Sequence, residues 1–129
     1  MIPIHPNLEG RVAVITGGSG VLCSEIAGEL ARHKVKVAIL NRTSKSGKRV
    51  ADQIKDAGGT AIAVEADVLD RVSLEKARDR IGEEFGRIDI LINGAGGNHP
   101  DAITGSETYG QETDEKSFFD LDEKGFSRV

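Results

Sequence analysis

Val12-Ala13-Val14-Ile15-Thr16-Gly17-Gly18-Ser19-Gly20-Val21-Leu22-Cys23 is the stretch that decides how this chain folds. Its four leading apolar residues, 12–15, suit a strand buried on both faces of a parallel sheet. Three glycines follow within positions 17–20. From Val21 the apolar residues recur at helical spacing, with Leu22, Ile26 and Leu30 in one row and Ala27 and Ala31 beside them. A glycine-rich turn between strand and helix has a defined chemistry. One glycine permits the tight turn, a second lets backbone approach a pyrophosphate, and a small third residue lets helix pack on strand. Free N–H groups and the dipole at the helix start favour phosphate charge. Cys23 stands at the third position and reads as a small buried packing residue rather than a reactive thiol beside a ligand. A turn that binds nothing is the plainer alternative, and the density of glycine argues against it.

The alternation continues outward from this turn. Residues 35–40 form a second apolar, β-branched run. Ser44 or Ser46 can cap a helix that buries Val50, Ile54 and Ala57 and stops at Gly58-Gly59. Residues 60–66 read as a third strand closing on Asp67. Ser73 is the expected cap of a helix presenting Leu74, Ala77, Ile81 and Phe85, with Gly86 as its stop. Residues 88–92 form a fourth strand. The order β-α-β-α-β-α-β, with short connections, predicts an α/β fold: the first four strands of a doubly wound parallel sheet with intervening helices.

Bulk properties narrow the class. The 129 residues suffice for one domain, and 38% hydrophobic with 29% charged residues excludes general disorder. The net charge of -4 without a basic run argues against nucleic-acid binding. No stretch approaches the roughly 18 apolar residues of a membrane span, and residues 1–11 lack the apolar core of a signal peptide. A single cysteine excludes an internal disulfide framework and fits a reducing compartment, the cytoplasm by default. Residues 1–93 carry 14 basic and 13 acidic side chains, whereas residues 94–129 carry 3 and 8. That asymmetry places a boundary near Asn93, between a regular body over about residues 8–93 and an irregular acidic tail over 94–129. Both belong to the N-terminal part of a single domain. Glu112, Asp114, Glu115, Asp120, Asp122 and Glu123 in the tail read as a solvated face rather than as paired acid and base. His5 and His33 carry no partner pattern, and no metal-ligand spacing occurs.

The residues at the strand ends resemble those of the short-chain dehydrogenase/reductase family. Thr16-Gly17-Gly18-Ser19-Gly20, with Val21 and Leu22, is similar to its cofactor loop. Asp67-Val68 stands where the family has its adenine-contacting aspartate, and Asn93-Gly94-Ala95-Gly96 is similar to its N-N-A-G motif, with glycine for the second asparagine. The loop spacing departs from T-G-x-x-x-G-x-G toward the T-G-x-x-G-x-x-G of the branch that includes sugar-nucleotide epimerases. Both features together resemble the D-mannonate oxidoreductase (fructuronate reductase) group, in residues 16–23, 92–100 and 118–122. The resemblance implies a Rossmann fold, a nicotinamide dinucleotide partner, and hydride exchange with the carbonyl carbon of a sugar acid. A non-catalytic nucleotide-binding or regulatory module, and an epimerase fragment, remain the alternatives.

At the end of the second strand, Asn41-Arg42 replaces the acidic residue that selects NAD. Arg42 can pair with a 2′-phosphate, so the sequence tilts toward NADP with NAD tolerated; Arg42 stacked on adenine or directed to solvent is the alternative. The family's catalysis uses a Tyr and a Lys four residues later, with a Ser upstream. The one tyrosine here, Tyr109, is followed four residues on by Thr113. No catalytic residue is therefore assigned, and the chain reads as the N-terminal portion of a longer enzyme, inactive alone. His99 reads as solvated, with a substrate contact as the alternative. The fourth strand, apolar on both faces, becomes an exposed edge, which predicts marginal stability or association into a homo-oligomer.

Overall fold

The computed structural model describes residues 3, 5–97, 100–105 and 116–127. It divides into two compact units, Met1–Ala95 and Gly96–Val129.

The first unit is a four-stranded parallel sheet with three helices. Its elements in chain order are β1 (Val12–Thr16), α1 (Val21–Arg32), β2 (Lys36–Asn41), α2 (Ser44–Asp56), β3 (Thr60–Glu65), α3 (Arg71–Phe85) and β4 (Ile90–Asn93). The sheet order is β3-β2-β1-β4, with every neighbouring pair parallel. Side chains alternate across the sheet and build two cores. Ala13, Ile15, Val37, Ile39 and Ala61 meet α1 and α2 on one face; Val12, Val14, Ala38, Leu40 and Val64 meet Ala77 and Ile81 of α3 on the other. The chain thus adds β2 and β3 on one side of β1, then crosses through α3 to place β4 on the other. Ile15 and Ile39 are wholly buried, each contributing about 1.5–3 kcal/mol relative to exposure. The doubly wound α/β architecture is as the sequence predicts.

Several local expectations change. On α1 the buried row is Cys23, Ala27 and Ala31, whereas Leu22 is 73% exposed and Ile26 and Leu30 only flank the core. Small side chains let the helix axis approach the sheet closely, so the row one residue later turns inward. On α2 the buried residues are Gly47, Val50, Ala51 and Ile54, while Ala57 lies past the last turn and is exposed. Thr43 rather than Ser44 or Ser46 occupies its N-cap; the Ser46 hydroxyl donates back to the Thr43 carbonyl at 3.2 Å. On α3 the cap is Asp70, whose carboxylate accepts from the Val72 N–H at 3.0 Å, and Ser73 Oγ instead accepts from Asp67 N. Gly58 and Gly86 end α2 and α3 with φ of 87° and 84°, the left-handed conformation that makes glycine the expected stop. β4 begins later than expected, at Ile90; Asp89 just before it donates its N–H to the Val12 carbonyl at 2.9 Å and accepts from Val12 N on its carboxylate at 3.0 Å.

The second unit contains two 3₁₀ turns, Pro100–Ala102 and Phe118–Asp120, and a short helix, α4 (Glu123–Phe126). Asp122 caps α4 by accepting from Lys124 N, and its own N–H donates to the Asp101 carbonyl. Gly125 packs on Asp101 where a Cβ would lie 2.7 Å from its backbone. Asp120 accepts from both the hydroxyl and the N–H of Ser117, which lowers its pKa. Asp120, Asp122 and Glu123 are exposed. Glu112, Asp114 and Glu115 lie outside the described residues.

Candidate functional site

In an open parallel sheet the ligand crevice forms beyond the carboxyl ends of the strands, where the strand order reverses. Here that point lies between β1 and β4. The loops after β1 and β4 meet there, the β2 loop touches the β1 loop, and the β3 loop lies beyond β2.

The β1 loop is held by close packing. Gly17 N donates to the Leu40 carbonyl at 2.8 Å, and Gly20 N donates to the Gly17 carbonyl at 3.1 Å. Gly17 has φ of 62°, and a Cβ on it would lie 2.7 Å from the Gly94 carbonyl oxygen. A Cβ on Gly18 would lie 2.8 Å from Ile39 Cγ2. Gly20 is the N-cap of α1, with no side-chain cap and no acidic residue in the first turn. The first-turn N–H groups of that helix lack intrahelical partners, so its start offers donors and positive potential to an anion. Val21 and Leu22 stand exposed beside them.

Thr16 ties this loop to the one after β4. Its hydroxyl accepts from both Gly94 N and Ala95 N at 3.1 Å, while its carbonyl also accepts from Gly94 N. Asn93, Gly94 and Ala95 lie on the exposed rim. Gly96, also exposed, falls in the second unit.

At the end of β2, Asn41 Nδ2 donates to Ser19 Oγ at 2.8 Å, and its Oδ1 is buried without a partner. Arg42 is exposed. After β3, Asp67 Oδ1 accepts from Leu69 N at 2.9 Å, which shapes the loop carrying the exposed Val68. The β1–β4 junction therefore presents neutral donors and a helix start, while Arg42 and Asp67 stand on the loops after β2 and β3.

Two contacts had no usable sequence signal, and a third feature had only a partial one. The Thr16–Gly94 and Asn41–Ser19 contacts span 78 and 22 residues. His33, expected to be solitary, is buried: its Nδ1 accepts from His5 N at 3.0 Å, its Nε2 lies 3.2 Å from Glu29 Oε1, and the His5 and His33 rings stack at 5.3 Å. Its i,i+4 spacing from Glu29 was the available hint. Arg32 forms the shorter pair with Glu29, at 2.6 Å, and is the main cause holding that carboxyl at about 2. Among the described residues no cluster of metal-ligating side chains occurs, and no helix is long and apolar enough to cross a membrane. His99, Tyr109 and Thr113 lie outside the described residues.

The short chain dehydrogenase family profile matches residues 11–123, which include all four of these loops. The chain belongs to that family. The uncharacterized oxidoreductase UxuB of Bacillus subtilis is 64% identical over the whole chain, which covers 46% of that protein. A crystal structure with bound NAD, of a Haemophilus influenza protein assigned as a D-mannonate oxidoreductase, superposes with a TM-score of 0.84. It is 40% identical and covers 93% of this chain and 44% of its own. A metagenomic short-chain oxidoreductase in complex with NADP superposes with a TM-score of 0.67 at 28% identity, over 70% of this chain and 41% of its own. The chain thus spans about half the length of these relatives.

Proposed function

We propose that this chain is the dinucleotide-binding part of a short-chain oxidoreductase that moves hydride between NAD(P) and a sugar acid such as D-mannonate or D-fructuronate. The observation that carries the proposal is the glycine turn at Thr16 to Leu22, docked on the β4 loop where the sheet order reverses. Gly17, Gly18, Ser19, Gly20 and the first turn of α1 would cradle the pyrophosphate. Asn41 and Arg42 would face the adenosine ribose, Asp67 and Val68 the adenine, and Asn93, Gly94, Ala95 and Gly96 the nicotinamide ribose. When bound, the nicotinamide supplies the hydride donor or acceptor. The residues fit such a group: no side chain fills the turn, and no acid opposes a phosphate at the helix start.

Cofactor choice rests on the end of β2. With no carboxylate there and Arg42 exposed, a 2′-phosphate meets attraction and no repulsion, which favours NADP while admitting NAD. The sugar-acid substrate rests on the likeness to the D-mannonate oxidoreductase group. The buried unpaired thiol of Cys23 suits a cytoplasmic setting. Because Tyr109 has Thr113 four residues on, these 129 residues are expected to bind dinucleotide without turning substrate over. Titration with NADPH and NADH, followed by nicotinamide fluorescence, tests the proposal. Arg42→Ala should weaken NADPH about ten-fold more than NADH. Failure of the chain to bind either would overturn dinucleotide binding, and a clear preference for NADH would overturn the NADP assignment. Oxidation of mannonate by this chain alone would overturn its expected inactivity.

A further inference from the structure

Gly94 and Cys23 occupy positions where dinucleotide-binding turns of this type distribute volume differently. The third position of the turn ordinarily holds glycine or alanine, so that helix and strand pack closely. Here it holds the larger Cys23, 9% exposed beneath the β4 loop. A Cβ built on Gly94 would fall directly on Cys23 Sγ, and would also lie 2.8 Å from the Thr16 carbonyl oxygen. The sulfur therefore already fills the space that any side chain at 94 would need. A thiol suits that place because it packs as a small apolar group and demands no strong hydrogen bond. The same loop is gripped from above by the Thr16 hydroxyl, through Gly94 N and Ala95 N, and abuts Gly17 with no room for a Cβ.

We infer that Cys23 and Gly94 are a matched pair, in which the cysteine side chain is the seat of the β4 loop and fixes Asn93, Gly94 and Ala95 against the glycine turn before a dinucleotide arrives. Cys23 is a positioning residue: it acts through the loop and not on the cofactor. The inference rests on the dinucleotide-binding reading above and deepens it. It also accounts for two departures from the family pattern, at 23 and at 94, as one exchange of volume.

The test compares the parent, G94A, C23A and C23A/G94A, reading NADPH and NADH dissociation constants and the alkylation rate of Cys23, the single cysteine of the sequence. In G94A the loop must lift, so affinity should fall about ten-fold, and the thiol should alkylate about ten-fold faster. C23A alone leaves the loop without its seat and should weaken binding by about two- to three-fold. C23A/G94A should recover about half of the logarithmic loss of G94A, the remainder belonging to the Thr16 carbonyl. Binding by G94A at parental strength, or a double variant no better than G94A, would overturn the pairing. If G94A fails to fold, a folded C23A/G94A is itself the rescue, and two unfolded proteins refute it. A parent that binds neither dinucleotide overturns the functional reading instead. The alkylation rate of G94A then still decides the packing pair, a parental rate refuting it and a faster one upholding it.

Discussion

Gly17 combines a φ of 62° with a backbone approach to Gly94 and Ala95 that leaves no room for a side chain. Gly17→Ala should therefore destabilise the chain by about 1–3 kcal/mol, measured by urea denaturation, and weaken dinucleotide binding with it. Parental stability in that variant would mean that the turn relaxes freely. This residue was legible in the sequence because a tight turn at the end of an apolar strand has few chemical solutions. Cys23 was half legible. Its burial followed from its small size and its place in the glycine motif, but the row Cys23, Ala27, Ala31 has the same period as Leu22, Ile26, Leu30. Counting apolar bulk favoured the second row, whereas close helix–sheet packing chose the first. The contact of Cys23 with Gly94 was not legible, since nothing local links residues so far apart in the chain.

Among the elements, β4 depends on a carboxylate that precedes it. Asp89 accepts from Val12 N, with Arg11 at 3.5 Å and Arg87 at 3.6 Å. The Val12 N–H is the main cause, ahead of the two guanidinium groups, that holds its carboxyl below the usual aspartate range. A folded-state value below the unfolded one contributes stability that is complete above the unfolded pKa, about 3.9, and is lost as pH falls through the folded value. Urea midpoints taken from about pH 6 down to about pH 3 should thus fall more steeply for the parent than for Asp89→Asn. Parallel declines would show that Asp89 does not carry the acid sensitivity. The existence and order of the strands and helices were legible from periodicity and glycine stops. Their caps were not: Asp70 and Ser73 both precede or open α3, and only the fold shows that Ser73 turns back to Asp67.

Across the whole sheet, the two outer strands differ. β3 carries exposed Thr60 and Glu65 at its ends, whereas β4 presents Leu91, 61% exposed, and among the described residues its outer edge has no partner strand. Such an edge is a template for another strand, and lysine is a common means of blunting one. The 129-residue chain should self-associate in sedimentation velocity, and Leu91→Lys should shift it toward monomer. A parent that stays monomeric at high concentration would remove the edge as an association surface. The doubly wound plan was legible from alternation alone. The placement of β4 on the side of β1 away from β2, through the crossing of α3 to the second face, is what that plan implies.

The junction of β1 with β4 also has a temporal meaning. Contacts within β1-α1-β2 and β2-α2-β3 close short loops, whereas Val12 meets Asp89, and Thr16 meets Gly94, across 77 and 78 residues. Closing the longer loop costs more chain entropy, and contacts of wide sequence separation slow folding. The crevice therefore depends on the contacts in the sheet whose closure costs the most chain entropy. Any excursion that parts β4 from β1 would also part the glycine turn from the loop it abuts.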